Sequence, residues 1–523
     1  MQQNSTLKDN LRLLVIFAAI FFVIHGSWLF NFSATVDDVI PAQAQMILAR
    51  GKWAAWVLKA FVSDGPNYPY GGIFCGLAMA GAALLQCRAL GLKQTWQQVA
   101  YAVLLFGSYQ EIDNISWWMQ SDTCALGILT ASAAAYRLSP QGSEGRKWLY
   151  AIPLLAVSMG CYQTFGTYFL VLFLTMLLLL LIQEGTGAAK RFAIRGAGVM
   201  LLALILYFAI NKCMGLLVPE RLAQEAAKYE GEVSGWGKFL DSDSTGQFWM
   251  LVNYGVGQPL LRFLTLRGGH WLYLSTLLPV LVLAARFAWR KRYMNAIAIA
   301  AVGTAVIYIP FLFAPLLMDQ TGFAERMMNT VPVSTACLWA LAFILEEGHF
   351  RRHARLYGTI LALVAVQALY LSGEAARNRM FQHERTLEEL RDMYTMARVE
   401  AIQNGIAECD IVFCGIVPES ADPEYGKTGS NGLVDLQENS ALPHIFQRWM
   451  GTDNKFLKHY GTFLRIGKRL RFAKEEELRQ HSAKLHQMPI WPADGSVAAD
   501  GDAVLIKLGD EMKPGVPLPS PEE

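Results

Sequence analysis

Charge is scarce in this chain. Of its 523 residues, 17% are charged against 53% hydrophobic, and the mean hydropathy is +0.27, too apolar for an ordinary soluble multidomain enzyme. A formal net charge of +2 leaves neither the basic excess that recruits nucleic acid nor an acidic tail. Cysteine ligand pairs are missing too: Cys75, Cys87, Cys124, Cys161, Cys213 and Cys337 stand singly in or beside apolar runs, which argues against structural zinc. Cys409 and Cys414 are separated by an extended run of roughly 17 Å, beyond disulfide reach, so all eight cysteines read as free thiols. The absence of a Walker loop, a dinucleotide fingerprint and an HExxH motif argues against energy coupling, nicotinamide chemistry and zinc peptidase activity. The first apolar segment, 11–30, lacks a small-residue cleavage pattern and reads as a retained span. An internal repeat of the transporter kind is not visible.

What the chain has in abundance is long apolar runs. Segments at 11–30, 71–87, 97–108, 121–136, 148–160, 164–182, 196–214, 270–289, 295–316, 330–345 and 356–373 predict a mainly α, polytopic membrane protein of about eleven helices. Two of them, 97–108 and 148–160, are short. Alternate connections carry Lys8, Arg12, Arg88, Lys93, Arg137, Arg146, Lys147, Lys190, Arg191, Arg195, Arg286, Arg290, Lys291, Arg292, Arg351, Arg352 and Arg355 in short loops, which the positive-inside rule makes cytoplasmic. The amino terminus is then cytoplasmic, and the opposite connections, longer and poorer in cations, face outward. In the first of these, 41–62 is apolar but interrupted by Gln43, Gln45, Arg50, Lys52 and Lys59, so it should lie flat at the interface. A second such segment, 248–266, holds Asn253, Gly255, Gly257, Pro259 and Arg262, which argue against a lipid-exposed span. If it crossed, every later orientation would flip.

Composition changes near residue 374. Residues 1–373 form the transmembrane part; from 374 to 523 charges become dense, helical spacing runs through Leu387, Leu390, Tyr394 and Ala397, and strand-like runs stand at 411–416 and 503–508. A small C-terminal α/β domain on the outer side is expected, ending in a disordered Pro/Glu tail at 514–523.

Acids gather at the expected outer mouth. Asp37 and Asp38 follow the first span, and a carboxylate there can accept the proton of a sugar hydroxyl as its oxygen attacks an anomeric carbon; the plainer reading is a helix cap. Glu111, Asp113 and Asp122, with Trp117 and Trp118, surround the next outer loop. Aromatic faces pack on sugar rings and carboxylates accept hydroxyl hydrogen bonds, though an interfacial tryptophan belt with solvated acids would look the same. Tyr162 and Gln163 open a span from the outer side, where an amide can orient a ligand or merely snorkel. Arg326, near Asp319 and Glu325, offers the planar fork that holds two phosphate oxygens, unless it pairs with those acids. Arg262, Arg267 and His270 form a second cationic cluster for the same task, and spacing does not rank the two. Nucleotide-sugar donors are cytosolic, so an outer acidic cluster calls for a sugar already carried by a flipped lipid.

Several short motifs occur in an order that resembles known enzymes. Thr35-Val-Asp-Asp-Val after the first span, then Arg50-Gly-Lys-Trp, resembles the GT-C class of membrane glycosyltransferases. Gln120-Ser-Asp-Thr, Cys161-Tyr-Gln-Thr, Glu325-Arg-Met-Met, Ile490-Trp-Pro-Ala-Asp-Gly-Ser and Val504-Leu-Ile-Lys-Leu narrow the resemblance to the bacterial Gtr glucosyltransferase family, which modifies O-antigen, over about 11–508. The resemblance implies undecaprenyl-phosphate glucose as donor and a sugar of a lipid-linked O-antigen unit as acceptor. It also implies an inverting displacement on the periplasmic face of a bacterial inner membrane, with a donor synthase and a flippase upstream. Asp37 and Asp38 would match the family's acidic pair, one of them the base. Arg326 would stabilise the departing phosphate, so neither a metal nor another cofactor is required. Rival readings are transfer of another hexose to a different envelope acceptor, a lipid-linked sugar flippase or secondary transporter, and an O-antigen polymerase or ligase. A transporter would place its ionisable residues near the bilayer midplane on broken helices, and a polymerase would rely on arginine and histidine in large outer loops.

Overall fold

The computed structural model describes residues 2–30, 44–62, 70–108, 121–142, 145–224, 245–246, 271–317, 330–406, 410–415, 470–513 and 516–520. The segment 248–266 lies outside them. The chain is mainly helical and divides into two compact units, one running to Glu374 and one from Ala375.

In the first unit the helices include α1 (Gln2–His25), α2 (Ala44–Ala49), α3 (Trp53–Phe61), α4 (Tyr70–Leu90), α5 (Thr95–Phe106), α6 (Ser121–Leu138), α7 (Ala151–Cys161), α8 (Phe165–Gln183), α9 (Thr186–Gly215), α10 (Leu277–Trp289), α11 (Tyr293–Leu317), α12 (Val331–Leu345) and the first part of α13 (Ala354–Gln403). Six described helices are long and apolar enough to cross a membrane: Tyr70–Leu90, Phe165–Gln183, Thr186–Gly215, Leu272–Trp289, Tyr293–Pro310 and Ala354–Arg377. That makes the chain a membrane protein, but by this measure the expected eleven spans are not reached. The other apolar segments are helical yet fall short for identifiable reasons. Lys147–Cys161 and Val331–Leu345 are shorter, α5 has 12 residues, α1 carries Lys8, Asp9 and Arg12, and α6 is rich in Ala, Ser and Thr between Asp122 and Arg137.

Small residues set the packing. Helices in lipid gain nothing from hiding apolar surface from one another, so they associate through close contact and internal hydrogen bonds. The α4 face buries Gly71, Gly72, Gly76, Ala78, Ala80, Ala82 and Ala83, and α6 buries Ala125, Gly127, Ala131, Ala134 and Ala135. A Cβ on Gly76 would stand 2.5 Å from the Phe22 ring, and one on Gly127 would stand 2.3 Å from the Phe165 ring. Several polar groups inside this bundle pair with one another across helices. Gln86 Nε2 donates to Ser132 Oγ at 2.7 Å and to Tyr168 Oη at 2.9 Å, while Tyr101 Oη donates to Gln86 Oε1 at 2.7 Å, joining α4, α5, α6 and α8. His25 Nε2 donates to the Phe106 carbonyl at 2.9 Å, which leaves Nδ1 to accept from Ser372 Oγ at 3.0 Å. Each such interhelical bond is worth ~0.6 kcal/mol in a membrane protein.

The second unit is α/β. Strands β1 (Asp410–Cys414), β2 (Leu470–Phe472), β3 (Val497–Asp500) and β4 (Ala503–Lys507) form a sheet of order β2-β1-β4-β3, with β1 parallel to both β2 and β4 and β3 antiparallel to β4. Alternation along the strands sorts the two faces. Ile411, Phe413, Val504 and Ile506 pack with Leu390, Met393, Ala397 and Ala401 of α13. Val412, Cys414 and Leu505 pack with Leu478 of α14 (Glu475–Gln480) and Leu485 of α15 (Ser482–Gln487). Part of the expected disordered tail is instead packed. β6 (Val516–Pro517) pairs with β5 (Glu511–Lys513), and Leu518 is buried against the sheet, an apolar anchor that composition alone does not weigh.

Candidate functional site

One cluster in the first unit brings together α2, α3, α6, α7 and α9. Its centre is the turn Arg50-Gly51-Lys52. The Gly51 amide donates to the Leu48 carbonyl at 3.0 Å and the Lys52 amide to the Ile47 carbonyl at 3.2 Å, the paired bonds of a Schellman close to α2. That close needs a left-handed residue, and Gly51 has φ +73°. It also needs a residue without a side chain, because a Cβ there would lie 2.9 Å from Tyr207 Oη, 3.2 Å from Asn211 Nδ2 and 3.3 Å from Gln163 Nε2. Within the apolar stretch 41–62, the described residues therefore form two helices, α2 and α3, with a fixed corner between them.

The corner is tied from beneath. Gln163 Nε2 donates to the Arg50 carbonyl at 3.0 Å and to Tyr207 Oη at 3.2 Å, and Tyr207 Oη donates to the Gly51 carbonyl at 3.1 Å. Lys52 Nζ stands 4.2 Å from the centroid of the Tyr162 ring, within cation–π range. Tyr162 and Gln163 directly follow the end of α7, so one short segment holds both sides of the turn.

Helix α3 is locked at two further points. Trp53 lies against Gly160, where a Cβ would be 2.5 Å from the indole. Lys59 is 5% exposed, and its Nζ lies 2.9 Å from both carboxylate oxygens of Asp122. Asp122 Oδ1 also accepts the Thr123 amide at 2.7 Å in the first turn of α6, where the helix dipole favours an anion. A buried ammonium and carboxylate tolerate this setting only together, since either alone would be an uncompensated charge. The geometry gives Asp122 the work of anchoring α3.

Of the residues singled out in the sequence, Asp122, Tyr162 and Gln163 are described and fall into this one cluster. Asp37, Asp38, Glu111, Asp113, Trp117, Trp118, Arg262, Arg267, His270 and Arg326 lie outside the described residues. Sequence reasoning assigned no role to Arg50, Gly51, Lys52, Lys59, Tyr207 or Asn211. The signal for the first three was the Arg50-Gly-Lys-Trp motif itself; Tyr207 and Asn211 lie far along the chain on α9 and carried none. Among the described residues, no group of His, Cys, Asp and Glu could hold a metal ion. The seven described cysteines are free.

The sequence model of a family described as glucosyl transferase GtrII matches residues 26–345, more than half of the chain. The chain belongs to the glucosyl transferase GtrII family. The match is narrower than the resemblance over 11–508, since the motifs at 490–508 lie beyond it. It contains every residue of the cluster, and it contains all ten candidates that lie outside the described residues. No curated protein and no solved structure matches this GtrII-family chain.

Proposed function

We propose that this chain is an inverting membrane glycosyltransferase that moves a sugar, glucose by its family, from a polyprenyl-phosphate donor to a lipid-linked O-antigen unit on the periplasmic face. The observation that carries the reading is the GtrII family match over residues 26–345. Supporting it are membrane-capable helices, which suit a lipid-borne donor, and a cluster rich in cations and aromatic rings within the matched region.

In the proposed step, the acceptor hydroxyl oxygen bonds to the anomeric carbon as the bond from that carbon to the phosphate oxygen breaks. Asp37 or Asp38 takes the hydroxyl proton, a role worth ~10²- to 10⁴-fold in rate. The other orients the base or holds a sugar hydroxyl, and the polyprenyl phosphate departs as an anion. Glu111, Asp113, Trp117 and Trp118 are proposed to line the sugar, and Arg326 or the group Arg262, Arg267 and His270 to meet the phosphate as charge builds on it. The sequence pattern of alternating basic loops supports a cytoplasmic amino terminus. The step as drawn uses no metal.

Membranes containing the full chain, supplied with polyprenyl-phosphate glucose labelled in the sugar, test the reading. Label is expected to move into the lipid-linked O-antigen fraction. Label that stays with the donor in the presence of competent acceptor would overturn the assignment.

A further inference from the structure

We propose that a crevice between the end of α6 and the start of α7 binds a phospholipid with an anionic headgroup. It lies at the ends of these helices away from the Gly51 cluster, and it does not depend on the transferase reading.

The crevice has a volume of about 400 Å³ and is lined by Arg137, Tyr150, Pro153, Leu154 and Val157. The last four fall at i, i+3, i+4 and i+7, one face of a helical run that begins with the 3₁₀ turn Lys147–Tyr150 and continues as α7. The other face, with Ala151, Leu155, Ala156, Ser158 and Met159, is the one that α7 buries in the bundle. The lining stripe is therefore turned outward, and Tyr150 is 63% exposed.

Arg137 closes the crevice from the last turn of α6. Asp122, which anchors α3, is in the first turn of the same helix, so the helical rise sets the two sites roughly 22 Å apart. A cation in a last turn commonly serves the helix's own carbonyls. Here Ser139 does that work: its amide donates to the Ala135 and Tyr136 carbonyls at 3.0 and 3.1 Å, and its Oγ donates to Tyr136 at 2.7 Å. The Arg137 guanidinium lines the crevice instead, 6.0 Å from the centroid of the Tyr136 ring. Among the described residues it forms no ion pair.

A ligand that is apolar along one part and anionic at another matches this lining. Pro153, Leu154 and Val157 give an acyl chain its contacts, and the planar fork of Arg137 can hold two phosphate oxygens. Tyr150 is a residue type that settles at the level of lipid headgroups. Arg146, exposed just before the 3₁₀ turn, adds positive charge. That favours phosphatidylglycerol over phosphatidylethanolamine, whose ammonium it would oppose.

The test uses the full-length protein, delipidated in detergent and titrated with phosphatidylglycerol, with retained lipid read by native mass spectrometry. Phosphatidylethanolamine and undecaprenyl phosphate are the comparison ligands. One tightly held phosphatidylglycerol is expected, and Arg137→Gln should weaken it roughly ten- to a hundredfold, the loss of one charge-assisted bond. Arg290→Gln, in the turn between α10 and α11, should leave it unchanged. Phosphatidylglycerol with a photoreactive acyl chain should label Pro153, Leu154 or Val157 of the unaltered protein. Melting temperatures separate misfolding from lost binding, and the labelling decides the matter if Arg137→Gln does not fold. Retention that is unchanged in well-folded Arg137→Gln, or equally weakened in Arg290→Gln, overturns the proposal, as does labelling spread evenly over the lipid-exposed helices. Phosphatidylethanolamine held as tightly would reduce the crevice to an ordinary bilayer contact. Undecaprenyl phosphate displacing phosphatidylglycerol at equal concentration would give the crevice to another lipid, and either result also overturns the proposal.

Discussion

Lys59 and Asp122 are 63 positions apart in sequence, and nothing local marks them as a pair. Read along the chain, Asp122 belonged with Glu111 and Asp113 as one of several acids near a mouth, and Lys59 merely interrupted an apolar stretch. Contact between distant helices made them partners, which no periodicity reveals. Because both are buried, removing one leaves the other's charge unpaired at a cost of ~3–5 kcal/mol. Asp122→Asn should therefore lower the thermal unfolding temperature of the detergent-solubilised protein clearly, and Lys59→Met with Asp122→Leu should restore much of it. A single variant that melts like the parent would show the pair to be dispensable. In the other unit, burial pushes the Cys414 thiol up to about 12, and neighbouring Glu477 adds to the rise. Thiolate is then very scarce at pH 8, so Cys414 should resist alkylation until the protein is unfolded, as followed by peptide mass spectrometry. Rapid modification of the native protein at this position would contradict that burial.

At the scale of elements, hydropathy located the apolar helices well but not their usable lengths. It reports composition over a window, whereas spanning depends on where a helix stops and which charges it carries. α1 ends at His25 with Lys8, Asp9 and Arg12 inside it. Likewise apolar residues recur throughout 41–62, and that recurrence does not reveal that the Gly51 close divides α2 from α3. In the C-terminal unit, β1 and β4 were legible as β-branched and apolar runs, but β2 spans only Leu470–Phe472, too short to stand out. β2 nevertheless carries an ion network. Arg471 Nη1 donates to Glu477 Oε2 at 2.6 Å and Nε to Asp410 Oδ2 at 3.0 Å, fastening β1, β2 and α14. The hydrogen bond from Arg471 holds the Glu477 carboxyl below its ordinary range, and Arg471 is raised, chiefly by the same bond. With the folded value of Glu477 lowered, its contribution is complete above the ordinary carboxylate range and is lost as pH falls through the folded value. Being partly exposed, the pair is worth only ~0.2–1 kcal/mol. Hydrogen exchange at 470–472, corrected for its intrinsic pH dependence, should speed up modestly as pH drops below about 4, where carboxylates ordinarily titrate. Glu477→Gln should remove that dependence, and an unchanged profile in that variant would assign it to another group.

For the whole molecule, the family match stops at residue 345, and α13 and the small sheet lie beyond it. The composition change near residue 374 announced a different kind of structure but no task for it, since a short parallel sheet serves many chemistries. What was legible for function was an order of short motifs. Each is weak, and their physical meaning depends on contacts such as Gln163 with the Arg50 carbonyl that bridge more than a hundred positions. Asp37 or Asp38 is proposed to drive hexose transfer to the O-antigen. The most direct measurement is the mass of the O-antigen repeat from cells expressing the chain, beside Asp37→Asn, Asp38→Asn and the double variant. A gain of one hexose per repeat that disappears in a well-expressed aspartate variant is the predicted result. A gain that persists in the double variant, or no gain at all in a host with a competent acceptor, would contradict the account.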